Sequence, residues 1–262
     1  MKALLLILCT LCSAPAQATV FLEDLTWTEL RDVIANGSTT ILIPIGGTEQ
    51  NGPHMALGKH NTRVKFLAEK IALKLGKALI APVIAYVPEG EIDPPTQHMK
   101  FPGTITIPDA TFNQLLESAA KSFKHAGFKT IVFIGDHGSY QSNETSVAAK
   151  LNKQWKSTGV RAFAAVEYYT LGQGAYAEAL FKNGHPKNDI GTHAALADTS
   201  LELATNPNMV RGESLAQSGS YSVADGVYGG NPKNATAKLG QIGVDLIVDG
   251  TVTAIENFRN HP

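Results

Sequence analysis

Histidine and carboxylate side chains gather in three short clusters along this chain. The first is Gly46-Gly47-Thr48-Glu49-Gln50-Asn51-Gly52-Pro53-His54, with Leu57-Gly58-Lys59-His60 close behind; the second is Gly135-Asp136-His137-Gly138-Ser139; the third is Gly191-Thr192-His193, running on to Asp198. Imidazole nitrogen with carboxylate oxygen suits zinc and neighbouring divalent ions, and a catalytic metal needs only three protein ligands and one open position. The same residues also suit strand-end turns whose histidines bond to the backbone. A lone histidine such as His193 is ordinarily satisfied by core or solvent.

The elements that must position these clusters are legible around them. Thr39–Ile45 is a continuous β-branched and apolar run, as expected of a strand covered on both faces, and Ala78–Tyr86, Thr130–Ile134 and the weaker Val160–Tyr168 resemble it. Thr26-Trp27-Thr28-Glu29 has capping-box spacing and opens a short helix that Gly37 can close. Asp109 to Gly127 sets Phe112, Leu115, Leu116, Ala119 and Phe123 at helical spacing, and further helices are predicted at Thr62–Leu75, Glu144–Lys156, Ala194–Leu203 and within Ala235–Phe258. A helix starting near Thr192 would put His193 in its first turn. Alternating strands and helices predict an α/β three-layer sandwich with a mostly parallel central sheet, whose ligands collect at the carboxyl ends of the strands. The first two clusters fall at those ends.

Five stretches, in order, carry a resemblance to the creatininase (creatinine amidohydrolase) family. Pro44 to His60 resembles its signature P-x-G-S-x-E-Q-H-G-P-H-L-P-L-x-T-D, and His98-Met99-Lys100-Phe101-Pro102-Gly103-Thr104 resembles H-x-x-F-P-G-T. Gly135-Asp136-His137-Gly138 stands where the family has N-G-H-G. His193-Ala194-Ala195 with Asp198-Thr199-Ser200 stands for H-A-G-E-x-E-T-S, and Gly226-Val227-Tyr228-Gly229 with Pro232 for G-V-x-G-D-P.

The resemblance implies a two-metal amidohydrolase, but this chain departs from it. Asn51 replaces a histidine ligand, His60 the bridging aspartate, and Ser139 a glutamate ligand; Asp198 and Leu196 each replace a glutamate. The ligand set so implied is Glu49, His60 and His137, holding one divalent ion per chain, zinc or alternatively manganese or iron. Asn51, Asp136 and Asp198 are expected as supporting or second-metal residues, and His54 and His98 in the substrate pocket. The implied reaction is hydrolysis of a C–N amide bond, in a cyclic amide for instance, by metal-bound hydroxide, with His193 as general acid beside the catalytic Glu49. Alternatives are a metal-dependent peptidase on a short peptide and a non-catalytic periplasmic metal- or ligand-binding protein. The family also implies a homo-oligomer, with a hexameric ring as one form.

Composition narrows the partners. Twenty-two basic and 23 acidic side chains leave a net charge of −1, which recommends no nucleic acid. Lys2, the apolar run Ala3–Cys12 and Ala16-Gln17-Ala18 read as a secretory signal at residues 1–18, ahead of a single domain at 19–262. Both cysteines, Cys9 and Cys12, lie in that leader, so no thiol is left for chemistry in the mature chain. A periplasmic or secreted protein without a membrane anchor is expected. Intact-mass measurement of the exported protein should give a chain beginning at Thr19; material still carrying Lys2 would refute the leader.

Overall fold

The computed structural model describes residues 19–261; the proposed leader lies outside them. In chain order, α1 (Trp27–Ala35) precedes β1 (Thr40–Ile45), α2 (Lys59–Leu75), β2 (Ala78–Ile80), α3 (Asp109–Ala126), β3 (Thr130–Gly135), α4 (Gln141–Trp155) and β4 (Arg161–Ala164). Three short helices follow, α5 (Glu167–Gln173), α6 (Ala175–Lys182) and α7 (Lys187–Ile190), then β5 (Gly191–His193), α8 (Leu196–Thr205), α9 (Gly212–Ala216), β6 (Tyr228–Gly230) and the long α10 (Ala237–Asn260).

Strands β2-β1-β3-β4 form one parallel sheet in that order, with Ile41 opposite Ile131 and Ile45 opposite Gly135. Alternation along β1 and β3 sends side chains to two cores. Ile41, Ile43, Ile45, Ile131 and Phe133 pack with Phe112 and Leu116 of α3 and with Leu151 and Trp155 of α4. Leu42, Val132 and Ile134 meet Val64, Leu67 and Ile71 of α2, Leu196 and Leu201 of α8, and Val244 and Ile247 of α10. Helices therefore cover both faces, and the expected three-layer α/β sandwich is what forms. Each large side chain fully buried in these layers contributes about 1.5–3 kcal/mol.

Local chemistry explains where elements start and stop. Thr26 caps α1 with the reciprocal Glu29 bonds of a capping box. The run Ala78–Tyr86 is not one strand: Pro82 has no N–H for a ladder, so pairing in register ends at Ile80 and only a single bridge, Ile45 to Ile84, continues it. Val160–Tyr168 likewise divides into β4 and the start of α5, which puts Tyr168 on a helix. His193 does not open a helix. It ends β5, opposite Tyr228 of β6 in an antiparallel pair, and α8 begins three residues later.

One tyrosine ties the site-bearing strand ends together. Tyr140, fully buried against Phe112, donates to the carbonyls of Ile45 (3.0 Å) and Gly46 (2.6 Å) and accepts from the His137 N–H (3.0 Å). Tyr140→Phe removes the hydroxyl and leaves those buried backbone groups short of a partner. The expected loss is about 1–3 kcal/mol in urea denaturation; an unchanged midpoint would mean that water replaces the hydroxyl.

Candidate active site

The loop after β1, the first turn of α2, the segment after β2, the loop after β3 and the end of β5 converge on one buried carboxylate, Glu49. Its Oε1 faces His60 Nε2 at 2.7 Å, His193 Nδ1 at 3.6 Å and Lys59 Nζ at 3.7 Å. Its Oε2 faces His98 Nε2 at 3.2 Å and His137 Nε2 at 3.5 Å, without hydrogen-bonding geometry to either. Burial works to raise this carboxyl, and the nitrogens of His137, His60 and Lys59 outweigh it, holding Glu49 well below the ordinary carboxylate range.

The Oε2 side has the donor set of a metal site. Glu49, Glu89, His98 and His137 each bring one ligand atom, all within 4.8 Å of one another. No N–H or hydroxyl of a neighbour serves Glu49 Oε2 or either oxygen of fully buried Glu89, and the two carboxyls hydrogen-bond each other through a Glu89 proton that a divalent cation would replace. Burial, with Glu49 close by, pushes Glu89 up to about 10, so without an ion it is a neutral acid. Ser139 gives its hydroxyl proton to the Pro88 carbonyl (2.7 Å) and meets His137 Nδ1 with both its Oγ (2.9 Å) and its N–H, which donates (3.2 Å); the tautomer with its proton on Nδ1 turns the Nε2 lone pair towards Glu49 and a metal. Gln50 is held by the Gly52 N–H at its Oε1 (2.9 Å), so its amide nitrogen faces His98 Nδ1 (3.0 Å). The His98 Nε2 proton then points at Glu49, and His98 is a ligand only if it surrenders that contact. Glu49 needs no such exchange, and Glu89 gives up its proton to become a ligand.

Glu89 was not among the residues singled out from sequence, although Val87-Pro88-Glu89-Gly90 closes an apolar run as the other clusters do. Its approach depends on Gly47, where φ is +150° and a Cβ would lie 2.7 Å from Glu89 Oε1. The family signature has serine at that place.

The structure divides the remaining expected residues. His60, expected as a ligand with Glu49 and His137, has both ring nitrogens engaged, by Glu49 Oε1 and by Asp136 Oδ2 (2.5 Å). Because α2 already starts at Lys59, His60 sits in its first turn between two carboxylates, which outweigh burial and Lys59 and raise its basicity. It holds Glu49 in place and has no lone pair to offer an ion. Asp136 is saturated by His60, by Arg63 Nε (2.9 Å) and by Tyr168 (2.6 Å). Asp198 is taken by Lys59, Arg63 Nη1 (2.6 Å) and the Ala194 N–H (2.8 Å). Neither carboxylate has room for a second metal, because α2 places Lys59 and Arg63, one turn apart, where that ion would go. Asn51 donates to the carbonyls of Glu49 (2.9 Å) and Ala56 (3.0 Å), bracing the loop. His54 is turned away from the cavity, bonded to Thr199 (2.9 Å) and stacked on Tyr221, and burial lowers it to about 4.

Lys59, His60, Arg63, His98, His137 and His193 line a cavity of about 190 Å³ beside Glu49. His193 enters it from β5. Its Nε2 lies 3.0 Å from the Gln50 carbonyl, an acceptor, and 3.1 Å from the Gln50 side-chain nitrogen, a donor, while Nδ1 faces Glu49 Oε1 at 3.6 Å. Burial and Lys59 hold His193 well below the usual imidazole range. The next residue, Ala194, has φ +54°, a strained conformation held in place by its N–H bond to Asp198.

The family model for creatininase, described as creatinine amidohydrolase, matches residues 23–255. A 3-dehydro-scyllo-inosose hydrolase of Thermotoga maritima is 26% identical over 74% of this chain, and the match spans only 58% of that relative. A mycofactocin precursor peptide peptidase of Mycobacterium tuberculosis is 26% identical over 86% of this chain and 88% of its own. Among solved structures, one titled as the manganese form of creatininase superposes with a TM-score of 0.71 at 22% identity, covering 92% of this chain and 98% of that one. With nearly the whole described chain matched and the signature residues assembled around one carboxylate, this protein belongs to the creatininase family.

Proposed function

We propose that this chain is a metal-dependent hydrolase of C–N amide bonds, acting outside the cytoplasm on a small amide, with one divalent ion per chain. The observation that carries this reading is the two-sided Glu49: one oxygen that accepts from no N–H, beside Glu89, His98 and His137, the other facing His193, His60 and Lys59. Zinc or manganese suits the oxygen and imidazole donors, with Glu49, Glu89 and His137 as ligands and His98 as an exchangeable fourth. When bound, such an ion polarises a carbonyl and acidifies water.

The chain's own residues then handle protons and orientation. In the tautomer with its proton on Nε2, which the Gln50 carbonyl accepts, His193 turns an Nδ1 lone pair to the cavity and takes the proton of the attacking water. Its weak basicity means that it passes the proton on to the amide nitrogen as the C–N bond breaks. The histidine expected as a general acid therefore acts first as a base. Asp136 and His60 fix Glu49, and Gln50 fixes the rings of His98 and His193, so little reorganisation is needed during reaction.

A short peptide is the second reading. A groove of about 470 Å³ lined by Pro88, Gly90, Ile92, Thr96 and Ser139 reaches the back of His137 and offers a chain somewhere to lie. The chemistry at the bond is the same.

Two outcomes are expected. His193→Ala should keep its metal and lose about 10²–10⁴-fold in turnover on any amide that the parent hydrolyses, whereas His137→Ala should lose metal and turnover together; metal analysis with a panel of lactams, linear amides and short peptides checks both. Metal uptake should also depend on pH in a defined direction. Glu89 holds its proton up to about 10, and an ion must displace it, whereas His137, lowered to about 4 chiefly by burial, is already neutral. Affinity should therefore rise with pH by about tenfold per unit between roughly 6 and 9, with one proton released per ion. Calorimetry in buffers of different ionisation enthalpy reads that proton directly, and a flat affinity across this range would remove Glu89 from the ligand set.

A further inference from the structure

The family signature has threonine where this chain has Lys59, and nothing in hydrolysis as described above requires an ammonium there. Lys59 is 1% exposed and is the one buried lysine among the described residues. Burying a charge on a long, flexible side chain is costly, and its two salt bridges, to Asp198 and, at 3.7 Å, to Glu49, offset that cost without using all of its donors. An ammonium has three N–H donors. Among the described residues its one hydrogen-bond partner is Asp198 Oδ2, an oxygen also used by the Ala194 N–H, while Asp198 Oδ1 is spent on Arg63. Glu49 Oε1, at 3.7 Å, is beyond hydrogen-bonding distance. Lys59 thus keeps unspent donors, and it lines the same cavity as His98, His137 and His193. It lies across Glu49 from the Glu89–His98–His137 cluster, so a substrate in the cavity meets a positive centre on each side.

We propose that Lys59 is a catalytic residue of this site: its ammonium binds the substrate's carbonyl oxygen as that oxygen takes up negative charge. The proposal rests on the amide-hydrolysis reading and names the group that stabilises its transition state. In the reaction, the water oxygen bonds to the carbonyl carbon and the carbonyl π pair moves onto the oxygen held by Lys59. That pair returns as the C–N bond breaks, and the proton lost by the water reaches the departing nitrogen through His193. Lys59 donates hydrogen bonds throughout and gives up no proton. A preorganised donor of this kind acts far more on the tetrahedral anion than on the neutral amide.

The test uses methylphosphonate, a small tetrahedral anion, and acetamide, a neutral planar amide, titrated calorimetrically into the zinc-loaded full chain. Lys59→Met should keep its zinc, bind acetamide as the parent does, and bind methylphosphonate on the order of 10²-fold more weakly. In the parent, the ¹⁵N signal of the Lys59 ammonium should shift as methylphosphonate is added. This measurement needs no variant and decides the matter if Lys59→Met does not fold. Equal methylphosphonate affinity in parent and variant, or an ammonium signal that does not move, overturns the proposal while leaving amide hydrolysis standing. A parent chain that binds no zinc and hydrolyses no amide overturns both.

Discussion

An ionised carboxylate with none of its surface in water is the constraint on which this structure turns. Glu49 stays charged because the nitrogens of His137, His60 and Lys59 outweigh its burial. Each group around it then needs its own support: Asp136 for His60, Gln50 for His98 and His193, Ser139 for His137, Asp198 for Lys59. The network that results is continuous from α2 to α8. Its members are individually expensive to bury, and the arrangement is tolerable because nearly every donor has an acceptor. Among the exceptions, the Glu49 and Glu89 oxygens that meet no N–H or hydroxyl mark where an external cation belongs, and the spare N–H donors of Lys59 face the cavity.

The same constraint explains how this chain departs from its family's two-metal pattern. Losing carboxylate and imidazole ligands at Asn51, His60 and Ser139 would leave Asp136 and Asp198 as uncompensated anions. Arg63 and Lys59 supply the missing positive charge from within the chain, and they hold Asp198 well below the usual carboxylate range although burial works to raise it. On that side of Glu49 the positive charge beside the carboxylates is the chain's own, from Arg63 and Lys59. On the other side, glycine at position 47 lets Glu89 approach.

The layered fold was legible from sequence because continuous apolar runs and helical spacing report burial directly, as at Thr39–Ile45 and Asp109–Gly127. Where a covalent detail interrupts that pattern, as Pro82 does, the strand boundary was misplaced. Within the site, Glu49, His137 and His193 were found through their motifs, but their partnerships were not. Whether His60 faces a metal or a carboxylate depends on α2 beginning at Lys59, a matter of one turn. Glu89 escaped notice because its role comes from a neighbour 42 residues earlier in sequence, Gly47, and local spacing holds no trace of that contact. The rotation of His193 from a helix onto β5 has a similar origin, in a strand partner, Tyr228, far along the chain.

The contacts between Gln50 and His193 span 143 positions, and those between Lys59 and Asp198 span 139. No fragment shorter than about three-fifths of the described chain contains both ends of the network. During synthesis the separate histidines and carboxylates are therefore scattered ligands, and the chain must fold by long-range closure before they meet. Ion capture belongs to the finished protein rather than to the growing chain.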